Sequence, residues 1–321
     1  LVLNAKSTAY TVAPVLYGFK HFYPGIRVVG VVFNFVASVV HYAYLQQACA
    51  DAGVEALGYI PKDESIVIPS RHLGLSIDET FCFDAFADRV AEVIDKTVNV
   101  DRLLELCTVE FSGEQTEDVV CSGNRKIAIA RDEAFNFMYR ENVEVLKRAG
   151  EVVFFSPLRD KSLPEADMVY FPGGYPELHL AELAANEGMK QSVRKYCETG
   201  GRVLAECGGM MYLCDTITSD DGKVYPMAGV LKQGATMEQM KLKLGYREVR
   251  VNGQRIRGHE FHYSRILPAN EKIPVIGTIY NAKDMVVDTP VYTYKNVLAS
   301  YIHFYWGECG MDHFLMLMSQ K

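Results

Sequence analysis

The stretch Arg202-Val203-Leu204-Ala205-Glu206-Cys207-Gly208-Gly209-Met210 decides how this chain is read. Val203 to Ala205 is a short apolar run of the kind that forms a buried strand, and it stops at a cysteine followed by two glycines. Met210 to Leu213, with one tyrosine, restarts the apolar pattern as a helix. A sharp strand-to-helix turn lifts a side chain out of a sheet, and small neighbours let substrate and backbone N–H groups approach. A helix N-terminus adds a positive partial charge that favours thiolate over thiol. A buried structural thiol is the competing reading, because free cysteine is among the most buried residue types. Whether a histidine exists to serve Cys207 separates the two.

At 321 residues the chain has room for two domains of roughly 100–200 residues each. Hydrophobic residues make up 49% and charged residues 23%, an ordinary globular balance, so function must be sought in pattern. The net charge of −7 argues against general nucleic-acid binding and requires any anionic substrate to be met by local Lys and Arg. No apolar run is long enough to span a membrane and no signal peptide opens the chain, so no membrane partner is expected. The eight cysteines form no C-x-x-C pair and no regular spacing, which fits reduced thiols in the cytoplasm. Leu1-Val2-Leu3-Asn4-Ala5 has no initiator Met and reads as a strand entered midway, so a fragment or processed piece is expected.

Outward from the cysteine, strands and helices alternate. Val28 to Phe35 is a mainly apolar run typical of a central parallel strand. Tyr42 to Ala52 has helical spacing closed by Gly53, and Val54 to Ile60 is a strand ended by Pro61. After the loop Lys62 to Ser76, Asp78 to Thr97 reads as an amphipathic helix with Asp78 as N-cap. The polar segment Glu110 to Asn124 reads as a linker, which places domain boundaries at 1–110 and 126–321 with 111–125 between them. The rhythm then resumes: strand Lys126 to Ala130, helix Phe137 to Ala149, strand Glu151 to Phe155, strand Asp167 to Phe171 and helix Leu178 to Thr199. Two doubly wound α/β domains follow from this order, the second with a strand-rich antiparallel extension from Met227 to Tyr301.

Three elements of the second domain belong together. Ser300-Tyr301-Ile302-His303-Phe304-Tyr305-Trp306 places a histidine at the end of the apolar stretch Val297 to Ile302, where it can reach a cysteine on the same sheet edge. Phe171-Pro172-Gly173-Gly174-Tyr175-Pro176 supplies a glycine turn at another strand end. Backbone N–H groups of Gly174 and Gly208 would form an oxyanion hole. Alone, His303 among aromatics reads equally as a core histidine and the glycine pair as a turn, but three such strand ends together point to a cysteine hydrolase. Arg257-Gly258-His259-Glu260-Phe261-His262-Tyr263-Ser264 invites a zinc reading. His259 and His262 lie three apart in a strand pattern, hence on opposite faces, and H-E-x-x-H is absent, so no metal site is expected. Glu260 is instead expected near the active site, orienting His303.

These motifs resemble the class I glutamine amidotransferases of the cobyric-acid-synthase type, and within them the glutaminase domain of the cobyrinate a,c-diamide synthases. Phe171 to Leu178, Ala205 to Gly209, Arg257 to Ser264 and Ser300 to His303 carry that likeness. Gly30-Val31-Val32-Phe33-Asn34, Gly58 to Asp63 and Arg71-His72-Leu73-Gly74-Leu75 are similar to the second half of the family's ATP-dependent synthetase domain, of dethiobiotin-synthetase-like fold. The resemblance implies a flavodoxin-like glutaminase domain in which Cys207 attacks the glutamine amide with His303 as base and then acid. Ammonia would pass to the other domain, where ATP with Mg²⁺ activates tetrapyrrole carboxylates, giving amides at the a and c side chains of a corrinoid. It further implies an adenine contact for Asn34 and a place near the synthetase site for Lys62, Arg71 and His72, which would face a polycarboxylate or else be solvated loop charge. No cofactor is implied for the glutaminase domain itself, and a homodimer stays open.

Two departures from the family pattern stand out. The P-loop G-x-x-x-x-G-K-[ST] and Mg²⁺-binding acids that begin the family's synthetase domain do not occur in these residues. Triphosphate binding is therefore expected to be lost or weak, leaving at most glutaminase chemistry. Triad glutaminases often carry His-x-Glu, whereas Tyr305 stands here, so a Cys–His dyad is expected with the third role vacant or filled by Glu260 or a backbone carbonyl. A diamide synthase acting on nickel-sirohydrochlorin and a non-catalytic α/β binding module are the alternatives. A cysteine peptidase would leave the first domain and the Arg257 to Ser264 motif unexplained.

Overall fold

Strands Val2–Asn4, Gly30–Val36 and Glu55–Pro61 form a parallel sheet with the apolar run Gly30–Val36 at its centre. The computed structural model describes residues 1–68, 70–71, 74–75, 81–110, 123–268 and 272–307, the side chains at 70–71 and 74–75 excepted. Between the last two strands runs helix Val39–Ala52. Ser38 caps it by accepting the His41 N–H, and Gly53 closes it in the left-handed conformation at φ 66°. Val31, Phe33 and Val36 bury against Leu16, Leu45, Ala48 and Cys49, which makes the core of this unit. The following helix spans Phe83–Thr97; Asp78, read as its N-cap, lies outside the described residues.

The chain divides into units Leu1–Thr116 and Glu117–Lys321. In the second, strands 150–155, 125–130, 168–171, 202–206 and 297–300 lie side by side and parallel, and 291–294 and 275–276 extend the sheet antiparallel to give seven strands. In strands 125–130, 168–171, 202–206 and 297–300 the Val, Ile, Leu, Phe and Ala side chains are buried, as expected for a sheet covered on both faces, whereas Phe154 and Val275 on the outer strands are exposed. A separate antiparallel sheet has the order 278–281, 243–251, 254–262, 302–304. A third sheet, 224–226, 214–218, 231–236, 265–266, completes the strand-rich part. Both units are parallel-sheet α/β, in keeping with the strand–helix rhythm of the sequence.

Three local readings change, each for a stated reason. The helix read over Leu178 to Thr199 is two, Leu180–Ala185 and Glu187–Glu198. Buried Asn186 breaks it, its amide donating to Pro157 and Asp160 carbonyls while its oxygen caps the second helix at the Met189 N–H. The helix read from Phe137 starts at Arg140, because the Phe137 N–H pairs with the Gly173 carbonyl instead, a tertiary contact that overrides helix propensity. The apolar stretch ending at His303 is two strands, Val297–Ser300 in the large sheet and Ile302–Phe304 in the antiparallel one, with Tyr301 as the joint. Asp132 ties the loops at this end of the large sheet. Its carboxylate accepts from the Ala134, Phe135 and Leu158 N–H groups and from the Ser156 hydroxyl.

Candidate active site

Cys207 follows the last residue of strand Arg202–Glu206 and precedes helix Gly208–Leu213. Its backbone has φ 46° and ψ −107°, a conformation that costs a non-glycine residue about 1–3 kcal/mol and clusters at functional sites. The Cys207 N–H holds that turn by donating to the Ser300 carbonyl at 2.7 Å, across the pair of strands 202–206 and 297–300. The glycines after it have packing reasons. A Cβ at Gly208 would come within 2.7 Å of Pro176 Cδ and 3.1 Å of the Gly174 oxygen, and one at Gly209 within 2.3 Å of the Phe171 oxygen. Close fit of the short helix onto the Phe171–Pro176 turn thus requires both.

That turn also meets the histidine. A Cβ at Gly173 would lie 2.2 Å from His303 Cε1, so the imidazole is seated directly on the glycine. His303 stacks on His259, its cross-strand partner, at 4.8 Å, and the Phe137 ring meets it edge-on at 4.6 Å. The Tyr139 hydroxyl lies 2.5 Å from His259 Nδ1, so Phe137 and Tyr139 close the cluster from the loop before helix Arg140–Ala149. Strand alternation gave no hint of either residue, since neither belongs to a strand. Phe261, on the same strand face as His259, brings its carbonyl 3.9 Å from Cys207 Sγ, a long contact in which the thiol is the donor.

The structure thus gathers Cys207, His303, Gly174 and Gly208 at one end of the second unit. Glu260 is a correction. It is fully buried and accepts from Arg247 Nε at 2.7 Å, Thr289 Oγ1 at 2.8 Å and His262 Nε2 at 2.8 Å. As the neighbour of His259 on its strand, it faces away from the side on which His303 sits, so it does not orient that ring. Burial works to raise its carboxyl but is outweighed by hydrogen bonds from His262 and Thr289 and by the Arg247 charge, which hold it at about 2. It ties strand 254–262 to Arg247 and Thr289. Asn34 stands near the carboxyl end of the central strand Gly30–Val36 of the first unit, its Oδ1 accepting the Phe35 N–H at 2.9 Å. Lys62 is exposed beside Glu64 at 3.7 Å. The Arg71 side chain, His72 and most of the linker segment lie outside the described residues.

Electrostatics keep the resting site uncharged. Burial pushes the Cys207 thiol well above the ordinary cysteine range; the Glu177 charge adds to this and the Gly208 N–H opposes it. Burial also lowers His303 to about 3, helped by His259 and His262. Glu177, half-buried by surface, is pushed up to about 7 by burial. Each of the two groups therefore favours its neutral form, a thiol and an imidazole. A raised thiol pKa means less thiolate at neutral pH, so iodoacetamide at pH 7 should modify Cys207 at least about 10-fold more slowly than exposed Cys82 and Cys107, with its rate still rising at alkaline pH. Peptide mass mapping reads the order of labelling. Cys207 reacting first at pH 7 would refute a neutral resting pair.

Residues 126–310 match the CobB/CobQ-like glutamine amidotransferase domain family. Over 323 residues the chain is 33% identical to the cobyrinate a,c-diamide synthase of Salmonella typhimurium, covering 96% of this chain and 70% of the relative. It is 34% identical over 318 residues to the cobyrinate a,c-diamide synthase of Saccharolobus solfataricus, covering 96% of this chain and 72% of that protein. It is 36% identical over 306 residues to the hydrogenobyrinate a,c-diamide synthase of Pseudomonas aeruginosa, covering 95% of this chain and 69% of that one.

Proposed function

Because this chain belongs to the cobyrinate a,c-diamide synthase family, with a CobB/CobQ-like glutamine amidotransferase domain at residues 126–310, we propose that Cys207 and His303 release ammonia from glutamine for amidation of the a and c carboxylates of a corrin acid of the cobyrinate type. One observation carries the assignment of residues. The Gly173–Gly174 turn lies against His303 on one side and Gly208 on the other, seating the imidazole on Gly173 and packing Gly174 against the residue after Cys207.

The reaction follows from the resting pair. Glutamine enters and excludes water, the thiol proton passes to His303, and sulfur attacks the side-chain amide carbon. The amide oxygen becomes an oxyanion, for which the Gly208 and Gly174 N–H groups are the donors. As the tetrahedral species collapses, His303 returns its proton to the leaving nitrogen and ammonia departs. His303 then takes a proton from water, which hydrolyses the thioester to glutamate and frees the thiol. His303 is poorly basic when buried, so this cycle needs bound substrate to stabilise the charged pair; the resting enzyme wastes little glutamine.

Ammonia is consumed by the family's synthetase chemistry, in which ATP with Mg²⁺ supplies the activation of the acceptor carboxylate. Asn34 suits the base of that nucleotide, since it stands at the carboxyl end of a central parallel strand, where open α/β sheets receive ligands. Exposed Lys62 is available for the carboxylates of the acceptor. Mass analysis of products made by the natural full-length polypeptide from glutamine and ATP–Mg²⁺ tests the reading. Cobyrinate or hydrogenobyrinate should gain amides at a and c; amidation of nickel-sirohydrochlorin alone would overturn the choice of acceptor.

A further inference from the structure

Glu206 stands one residue before Cys207, at the end of strand Arg202–Glu206 directly after the apolar run Val203 to Ala205, and it is 1% exposed. Its Oε2 accepts from the Tyr170 hydroxyl at 2.7 Å and its Oε1 from the Phe304 N–H at 3.1 Å. Phe304 directly follows His303. Strand Ile302–Phe304 is the edge of the antiparallel sheet, and residue 303 pairs with residue 259 on its inner side. The N–H of residue 304 therefore points off the edge, where a buried donor left unmatched would cost about 1–3 kcal/mol. Fully buried Asn142 holds the same residue by its carbonyl, on the following peptide. It donates to the Phe304 carbonyl at 2.7 Å and accepts the Trp306 N–H at 2.9 Å.

His303 Nδ1, by contrast, is buried and has no hydrogen-bond partner among the described residues. Glu260, the carboxylate expected from the sequence to orient the ring, is engaged elsewhere. The ring is thus oriented by packing on Gly173, His259 and Phe137 and by the backbone that carries it. We infer that Glu206 is a positioning residue, its carboxyl tying the Phe304 amide, and through it the His303 backbone, to the strand end that presents Cys207. Burial, against the hydrogen bonds from Tyr170 and Phe304, pushes the Glu206 carboxyl up to about 8, so the tie is a neutral acid at pH 7. A neutral group can stand beside the nucleophile without opposing thiolate formation, whereas a carboxylate there raises the thiol further.

This assignment rests on the Cys207–His303 reading of the site, and the test separates the two. The probe is a γ-diazoketone analogue of glutamine, which alkylates an oriented nucleophile; its saturation kinetics on the full chain give a binding constant and a limiting rate. Glu206→Ala should lower the limiting rate by about 10- to 100-fold with the binding constant unchanged, as expected when a base is misplaced by an ångström. Glu206→Gln keeps an acceptor for the Phe304 N–H without charge and should restore the wild-type rate, and Tyr170→Phe should fall between. A Glu206→Ala rate equal to wild type, or Glu206→Gln falling as far as alanine, overturns the positioning role. If Glu206→Ala does not fold, the Gln and Phe variants still decide it. Wild-type protein modified at a cysteine other than 207 would instead sink the underlying reading.

Discussion

Cys207→Ala is expected to bring glutamate release down to the uncatalysed background, a loss of about 10⁴-fold or more, because no other group at the site can carry the acyl intermediate. The buried thiols nearest in sequence, Cys197 and Cys214, cannot stand in, since burial pushes each of them up to about 12. Cys207→Ser should be similarly inactive: a hydroxyl is far harder to ionise than a thiol, and His303 is too weak a base in its buried state to compensate. The fold should survive, as each substitution changes a single small side chain and adds no bulk. The measurement, made on the natural full-length polypeptide, is coupled glutamate detection with acceptor and ATP–Mg²⁺ present, beside amidation driven by ammonium salt. Loss of the first with retention of the second is the expected pattern. Undiminished glutamate release from Cys207→Ala would remove the nucleophile assignment.

The second large effect belongs to Gly173→Ala. Gly173 does not have a positive φ, so its backbone accepts alanine; the obstacle is the His303 ring, with Cε1 2.2 Å and Nδ1 2.9 Å from the new Cβ. The imidazole cannot retreat, being stacked on His259 and blocked by Phe137. It must move by about 1 Å or more, and displacement on that scale costs about 10²-fold or more in turnover. Overpacking should also cost about 1–3 kcal/mol of stability. Turnover should carry most of the loss, with glutamine KM little changed. Phe137 is partly exposed, so Phe137→Leu in the same molecule makes room for the ring and should recover part of the rate, a coupling that a double-mutant cycle measures. Wild-type turnover in a folded Gly173→Ala protein would contradict the seating of His303.

The parallel strands were readable because burial on both faces leaves continuous apolar runs such as Val203 to Ala205 and Val31 to Phe33. The turn after Cys207 was readable because two glycines at a strand end are unusual. Other features depend on neighbours distant in sequence. Asn186 breaks a helix by reaching Pro157 and Asp160 carbonyls, and residues 137–139 leave a helical pattern to meet Gly173 and His259. Glu260 shows why proximity in a motif misleads: strand alternation turns it away from the histidine beside its neighbour, toward Arg247 and Thr289. Glu206 did carry a signal that went unread, a carboxyl ending an apolar strand, which must find hydrogen bonds wherever it is buried.

The joint at Tyr301, where the chain leaves the large sheet and enters the antiparallel one, has a consequence for how the protein comes into being. Residue 207 leaves the ribosome well before residue 303, by roughly 5–20 s at ordinary rates of synthesis. Through that interval strand 202–206 lacks its neighbour 297–300, whose Ser300 carbonyl fixes the Cys207 turn, and the Glu206 carboxyl lacks the amide it grips. Nucleophile, base and tie are completed together by one late segment. A nascent or prematurely terminated chain therefore carries an ordinary thiol, and ammonia chemistry begins only in molecules whose last strands have docked.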